Sequence, residues 1–236
     1  SQPAAKTSEP VVVNTSSYNI AFDGDTGDIH YVDFHAYKLE EESITPKFIN
    51  NIDKYGNYAS INAGIMSGYT HTVDKRGDDT VVTFTGENDQ LQVTKSYTVT
   101  DKNYLIPVEV SIRNVSQAAV SVHVTVVIGP DLGDGFDNEK YVYNGPMIYA
   151  DGDLEKKKAA DVKNPIILSE PLWGGYTSKY FLFALMSQSF ERAEIVKAGN
   201  SAVTQFAASY TIQPGGEVKI ADTSYFAGPK YYDTLK

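Results

Sequence analysis

No cysteine occurs anywhere in this 236-residue chain, which removes disulfides, thiol nucleophiles and thiolate zinc sites together. The absence selects no compartment, because a cysteine-free chain folds in either redox environment. Basic residues are scarce as well. Lys and Arg number 20 against 30 Asp and Glu, a net charge of −10, which repels nucleic acid and anionic lipid as surface-wide partners. The single basic run, Lys156-Lys157-Lys158, is flanked by Glu155 and Asp161 and reads as a solvated loop or strand. Long apolar runs are missing too: Val120 to Ile128 and Tyr180 to Met186 fall short of the roughly 20 residues of a spanning helix. Ser1 to Pro10 lacks the charged start and apolar centre of a secretion signal and reads as a polar linker.

What the chain does have is alternation with a period of two. Val120, Val122, Val124 and Val126 point one way and Ser121, His123 and Thr125 the other, the pattern of a half-buried strand. Val108, Val110 and Ile112 repeat it, and the turn residues Asn114-Val115-Ser116-Gln117 between the two runs predict a long hairpin. Leu91, Val93, Tyr97 and Val99 form another strand after a Gly86-Glu87-Asn88-Asp89 turn, and Gln213-Pro214-Gly215-Gly216 separates two more. Leu154 to Ala160 has room for a single helical turn. No repeat and no mid-chain linker divides the sequence, so the expectation is one all-β domain of two packed antiparallel sheets, monomeric in isolation.

Several residue groups invite a chemical reading. Acid–base catalysis on a sugar would draw on His30, His35, His71 or His123 with a carboxylate, but the spacing assembles no set and each reads as a surface histidine. Asp23, Asp25 and Asp28 share a glycine-containing loop, yet the sixth and twelfth positions from Asp23 are Asp28 and Phe34, where a calcium loop needs Gly and Glu. Asp131, Asp134, Asp137 and Glu139 read as a solvated connection. No metal or cofactor is expected. Trp173, Tyr176, Tyr180 and Phe181 are candidates to line a groove for sugars or unfolded peptide, although the alternation of Phe181, Phe183 and Leu185 favours the inter-sheet core. Asn14-Thr15-Ser16 and Asn114-Val115-Ser116 match the N-glycosylation tripeptide.

At the end of the chain, Tyr225 and Phe226 suit a strand, Gly228-Pro229 suits its termination, and Pro229 suits the first position of a helix. Tyr231, Tyr232 and Leu235 then follow at helical spacing. This ending, Phe226-Ala227-Gly228-Pro229-Lys230, resembles the segment that closes the periplasmic domain of the bacterial membrane protein insertase YidC. Three further blocks are similar to that family in the same order. They are Val11 to Phe34 with its Gly27-Asp28-Ile29 turn, Lys95-Ser96-Tyr97 with Asn103-Tyr104, and Trp173-Gly174-Gly175 leading to Lys179-Tyr180-Phe181. Where the family often has adjacent glycines in the first block, this chain has Gly24 and Gly27.

The resemblance implies a large, mutarotase-like β-supersandwich over 11–227 after a linker at 1–10, with a membrane-proximal helix starting in 228–236. It implies a noncatalytic role on the periplasmic side of the inner membrane, within a multi-pass protein that assists insertion. Partners implied in the same way are the Sec accessory proteins SecD and SecF and nascent membrane proteins. The alternative from another class is a carbohydrate-binding or mutarotase-like sugar-active domain.

Overall fold

Burial follows the alternation strand by strand. The computed structural model describes residues 9–35, 47–48, 58–132 and 142–230. In chain order the strands are β1 (Val11–Asn14), β2 (Tyr18–Phe22), β3 (Ile29–Phe34), β4 (Lys47–Phe48), β5 (Ala59–Asn62), β6 (Thr70–Arg76), β7 (Asp79–Glu87), β8 (Leu91–Thr100) and β9 (Leu105–Asn114). They continue as β10 (Val120–Ile128), β11 (Gly145–Ala150), β12 (Asp153–Lys156), β13 (Ile166–Ser169), β14 (Pro171–Thr177), β15 (Phe181–Ser187), β16 (Arg192–Ala198), β17 (Ser201–Ile212) and β18 (Glu217–Pro229). The only helical element among the described residues is a 3₁₀ turn at Ala159–Asp161, at the end of the stretch expected to hold one.

Two antiparallel sheets result, β1-β2-β3-β5-β10-β17-β16-β13 with β4 beside β3, and β12-β11-β14-β15-β18-β9-β8-β7-β6. Their facing sides share one core. Phe22 of the first sheet packs on Tyr97 of the second with ring centroids 4.7 Å apart, Phe34 stacks on Phe181 at 5.6 Å, and Phe183 meets Tyr58 at 5.0 Å and Tyr225 at 5.4 Å. Such offset and tilted pairs add to the gain from burial itself.

The expected hairpin of β9 and β10 is not there. β9 pairs with β8 and β18, whereas β10 pairs with β17 and β5 in the other sheet. Both strands bury a full valine and isoleucine face, and these faces oppose one another across the core instead of lying side by side. The corner is held by Asn114, whose fully buried amide donates to Ala118 O at 2.7 Å and Ile212 O at 2.8 Å and whose oxygen accepts the Ser116 N–H at 2.9 Å. Its backbone bonds Gly215 and Gly216 in the turn from β17 to β18, so one residue ties together two of the crossings between the sheets, β9 to β10 and β17 to β18. With its amide group occupied in this way, Asn114 is closed to glycosylation in the folded chain.

Gly228 and Pro229 also differ from expectation, since β18 runs through both, opposite Leu182 and Phe181. The Ala227 N–H points to Tyr104 O at 3.0 Å, so by alternation the Pro229 nitrogen faces the same side, beyond the start of β9 at Leu105. A missing N–H there forfeits no ladder bond.

Candidate functional site

β15 is apolar on both faces. Phe181, Phe183 and Leu185 point into the core, and Leu182, Ala184 and Met186 point out of the sandwich. A strand in a one-sided sheet needs only one such face, and the second face forms the floor of a groove of about 860 Å³.

Cross-strand register builds this floor in rows. One row runs Lys156, Met147, Gly175, Ala184, Phe226, Leu105 across β12, β11, β14, β15, β18 and β9. The row on one side carries Leu154, Tyr149, Trp173 and Met186, and the row on the other carries Thr177, Leu182 and Gly228. The depression comes from the middle row, where Gly175 and Ala184 present almost no side chain between larger neighbours. Gly175 has no alternative: a Cβ there would lie 1.9 Å from Phe183 O and 2.5 Å from Ala184 Cα. Gly228 is also constrained, though by a side chain, because Tyr104 lies over it and a Cβ would approach that ring to 2.7 Å.

Three lysines line the groove, Lys156, Lys179 and Lys230, and no carboxylate or histidine does among the described residues. Lys230 donates from Nζ to Ser178 O and from its backbone to Tyr180 O at 2.7 Å. The Lys156 ammonium sits 5.7 Å from the Tyr143 ring centroid. Burial pushes the Tyr143 hydroxyl up to about 12, and the single proton of that hydroxyl already lies between two acceptors, Pro146 O and Lys157 O. Thr177 Oγ1 is likewise bonded to Ser178 O and Phe181 O, and Asn103 Oδ1 accepts the Leu105 N–H at 2.9 Å. Thr177 Oγ1, the Tyr143 hydroxyl and Asn103 Oδ1 are therefore engaged with the protein itself. A greasy slot with a cationic lining offers dispersion contacts and positive charge, with little hydrogen-bond readout.

Of the residues singled out from the sequence, Trp173 lines this groove and stacks on Tyr149 at 5.9 Å. Phe226 and Lys230 line it too, and Tyr180 is exposed, with the Lys179 ammonium 4.9 Å from its ring centroid. Tyr176 and Phe181 point into the core instead, as period two requires once Trp173 and Leu182 face out. Tyr231, Tyr232 and Leu235 lie outside the described residues, as do Asp134, Asp137 and Glu139. Sequence reasoning missed Tyr104, Tyr143, Met147 and Leu182, which come from distant segments. The available signal was the unbroken apolar run of β15, which no one-sided strand needs.

The other candidate chemistry is dispersed. His123 is exposed on the outer side of the first sheet, with Nδ1 2.9 Å from Ser209 Oγ, and His35 and His71 are exposed elsewhere. In the aspartate loop, Asp23 Oδ1 accepts the N–H groups of Asp25 and Thr26 and Asp25 Oδ1 that of Gly68. Asp28 Oδ1 takes the Ile61 N–H and the Lys95 ammonium. These carboxylates brace the loop.

Comparison with known proteins agrees with the geometry. The solved structures it resembles include a galactose mutarotase related enzyme from Lactobacillus acidophilus, with a TM-score of 0.64 at 9% identity over 93% of this chain and 97% of that one. A galactose mutarotase-like protein from Lactobacillus casei gives 0.61 at 11% identity, over 93% and 100%. Identity this low establishes the fold alone. Curated relatives include the membrane protein insertases YidC of Syntrophus aciditrophicus, 27% identical over 62% of this chain and 28% of that protein, and of Pelobacter propionicus, 29% identical over 68% and 31%. The chain thus spans less than a third of the length of these relatives. Among the described residues no helix is long and apolar enough to cross a membrane. The family model of the YidC periplasmic domain matches residues 10–236, and the chain belongs to that family.

Proposed function

We propose that this domain serves a YidC-type membrane protein insertase without catalysis of its own, as a scaffold on the periplasmic side of the inner membrane. It would present surfaces to SecD, SecF and nascent membrane proteins and fix the direction in which the chain leaves the sandwich. The observation that carries this reading is the family match through residue 236, together with the end of β18 at Pro229, paired to Phe181 at the groove-lining Lys230. A segment leaving there is held by the sheet up to its last strand residue, so its starting orientation is inherited from the sandwich.

Complementation of an insertase-depleted strain tests this. Because Phe226 to Pro229 belong to β18, the informative deletion begins after them. Removing residues 230–235 from the full-length protein impairs growth, and removing 133–140 is tolerated; the reverse ranking overturns the scaffold role. Crosslinking from Tyr180 and Lys179 to SecD or SecF tests the partners separately. The sugar-active alternative is supported by fold likeness alone.

A further inference from the structure

We propose that Tyr104, in the turn between β8 and β9, is a positioning residue that fixes where the chain leaves the sandwich. This role deepens the scaffold reading and rests on it, whereas the grip itself is tested without it. β18 pairs with β9 only as far as Phe226, opposite Leu105. Its last three residues, Ala227 to Pro229, run on with β15 as their one neighbouring strand among the described residues. On the side away from β15, Pro229 has no N–H to bond. A chain end held on one side is poorly ordered unless something else ties it down.

Tyr104 supplies the missing side. Its carbonyl accepts the Ala227 N–H at 3.0 Å, and its ring lies over Gly228, where a Cβ would come within 2.7 Å of Tyr104 Cγ. The absent side chain lets the aromatic ring cover the backbone of the departing strand. Across that strand, Lys230 donates from its backbone to Tyr180 O at 2.7 Å and from Nζ to Ser178 O. The exit is gripped from both sides.

Tyr104 is itself firmly seated. Its ring centroid stands 5.9 Å from that of Tyr18 and 5.6 Å from that of Phe34, both buried side chains of the first sheet. Among the described residues it alone packs against both the interior core and the outer cluster of Met147, Leu182, Ala184 and Phe226. The turn that carries it is pinned as well. Asn103 Oδ1 accepts the Leu105 N–H at 2.9 Å, Asp101 Oδ1 accepts the Ser16 N–H, and the Tyr18 hydroxyl donates to Thr100 O at 3.2 Å. The first hairpin and the last strand therefore hold to one turn. Three stretches that resemble the family separately, Asn103-Tyr104, Lys179-Tyr180-Phe181 and Phe226 to Lys230, converge on this exit.

Native-state hydrogen exchange in low urea separates a local grip from general packing, because local opening exposes little surface and barely responds to urea. Tyr104→Ala keeps the carbonyl that accepts the Ala227 N–H and removes only the ring. Exchange of the Ala227 and Lys230 amides becomes about tenfold faster and independent of low urea, while Val93, within β8, keeps the urea slope of global unfolding. Tyr104→Phe exchanges like the parent. If the two amides are unchanged, or accelerate only with the slope of Val93, the ring serves packing alone and the positioning role is overturned. In the full-length protein, Tyr104→Ala impairs complementation and Tyr104→Phe supports it. Normal growth of Tyr104→Ala overturns the role where deletion of 230–235 impairs growth. Where that deletion too is tolerated, the scaffold reading falls and the exchange data decide the grip by themselves.

Discussion

Lys95 Nζ lies 2.9 Å from Asp28 Oδ1, with the two side chains 1% and 10% exposed, and this pair joins the second sheet to the first. The same ammonium donates to Thr26 O at 2.8 Å, and Tyr97, two residues along the same strand face, donates to Gly27 O at 2.8 Å. Lys95 and Tyr97 thus grip one turn, Thr26-Gly27-Asp28, between β2 and β3. Gly27 has φ 67° and no room for a Cβ, which would approach Phe84 to 2.7 Å. Two sequence blocks that resembled the family separately, Gly27-Asp28-Ile29 and Lys95-Ser96-Tyr97, are one contact.

Burial pushes the Asp28 carboxyl up and the Lys95 ammonium down, each opposed by attraction to the other. Desolvation outweighing attraction means that removing one partner is far worse than removing both. Lys95→Met should destabilise by about 3 to 5 kcal/mol, and adding Asp28→Asn, which can still accept the Ile61 N–H, should restore most of the loss. A double-mutant cycle in urea measures this. Additive losses would show that the two charges do not depend on each other.

Tyr97 and Tyr225 are both fully buried, and burial holds both hydroxyls well above the ordinary value near 10. In the unfolded chain they ionise from about pH 10 upward while the folded chain keeps their protons, so the stability they contribute is complete below pH 10 and lost above it. The loss is about 1.4 kcal/mol per pH unit for each group. Urea midpoints at pH 9, 10 and 11 should therefore hold and then fall, and Tyr97→Phe should make the fall shallower.

The two hydroxyls differ in partners. Tyr97 bonds Gly27 O, whereas the buried Tyr225 hydroxyl has no hydrogen-bond partner among the described residues. Near pH 7, Tyr97→Phe should cost about 1 to 2 kcal/mol and Tyr225→Phe should be neutral or stabilising by up to about 1 kcal/mol. Thermal melts of both variants check the contrast, and a large loss for Tyr225→Phe would contradict it.

Gly175→Ala should be among the most damaging single substitutions, costing about 3 kcal/mol or more, since the added carbon meets the backbone of β15 and not the flexible end of a side chain. Gly77→Ala, where no atom of the described residues lies within 4 Å, meets only its positive φ and should cost about 1 kcal/mol. Urea titration ranks the two.

Aldose mutarotation should stay at the buffer rate with this chain present. Proton transfer to and from a sugar needs a titrating acid and base within reach, and the groove's described lining has neither histidine nor carboxylate. An accelerated rate lost in His123→Ala would favour the sugar-active reading.

By itself the sequence determined the strands, because alternation records which side of a strand meets water: Val120 to Val126 and Val108 to Ile112 were legible without neighbours. It also carried the family through short blocks whose order survives. Which strands pair was not legible, since β9 and β10 have the same alternating pattern whether they lie in one sheet or face each other across two, and only Asn114 and the partners β17 and β18 decide it. Lys95 occupied an inward position all along in the pattern Leu91, Val93, Tyr97, Val99, but a charge there makes sense only when Asp28 arrives from sixty-seven residues away. The groove depended most on tertiary structure. The middle row of its floor takes one residue from each of six strands, and a property shared by residues that meet only through cross-strand register leaves no local trace in the chain.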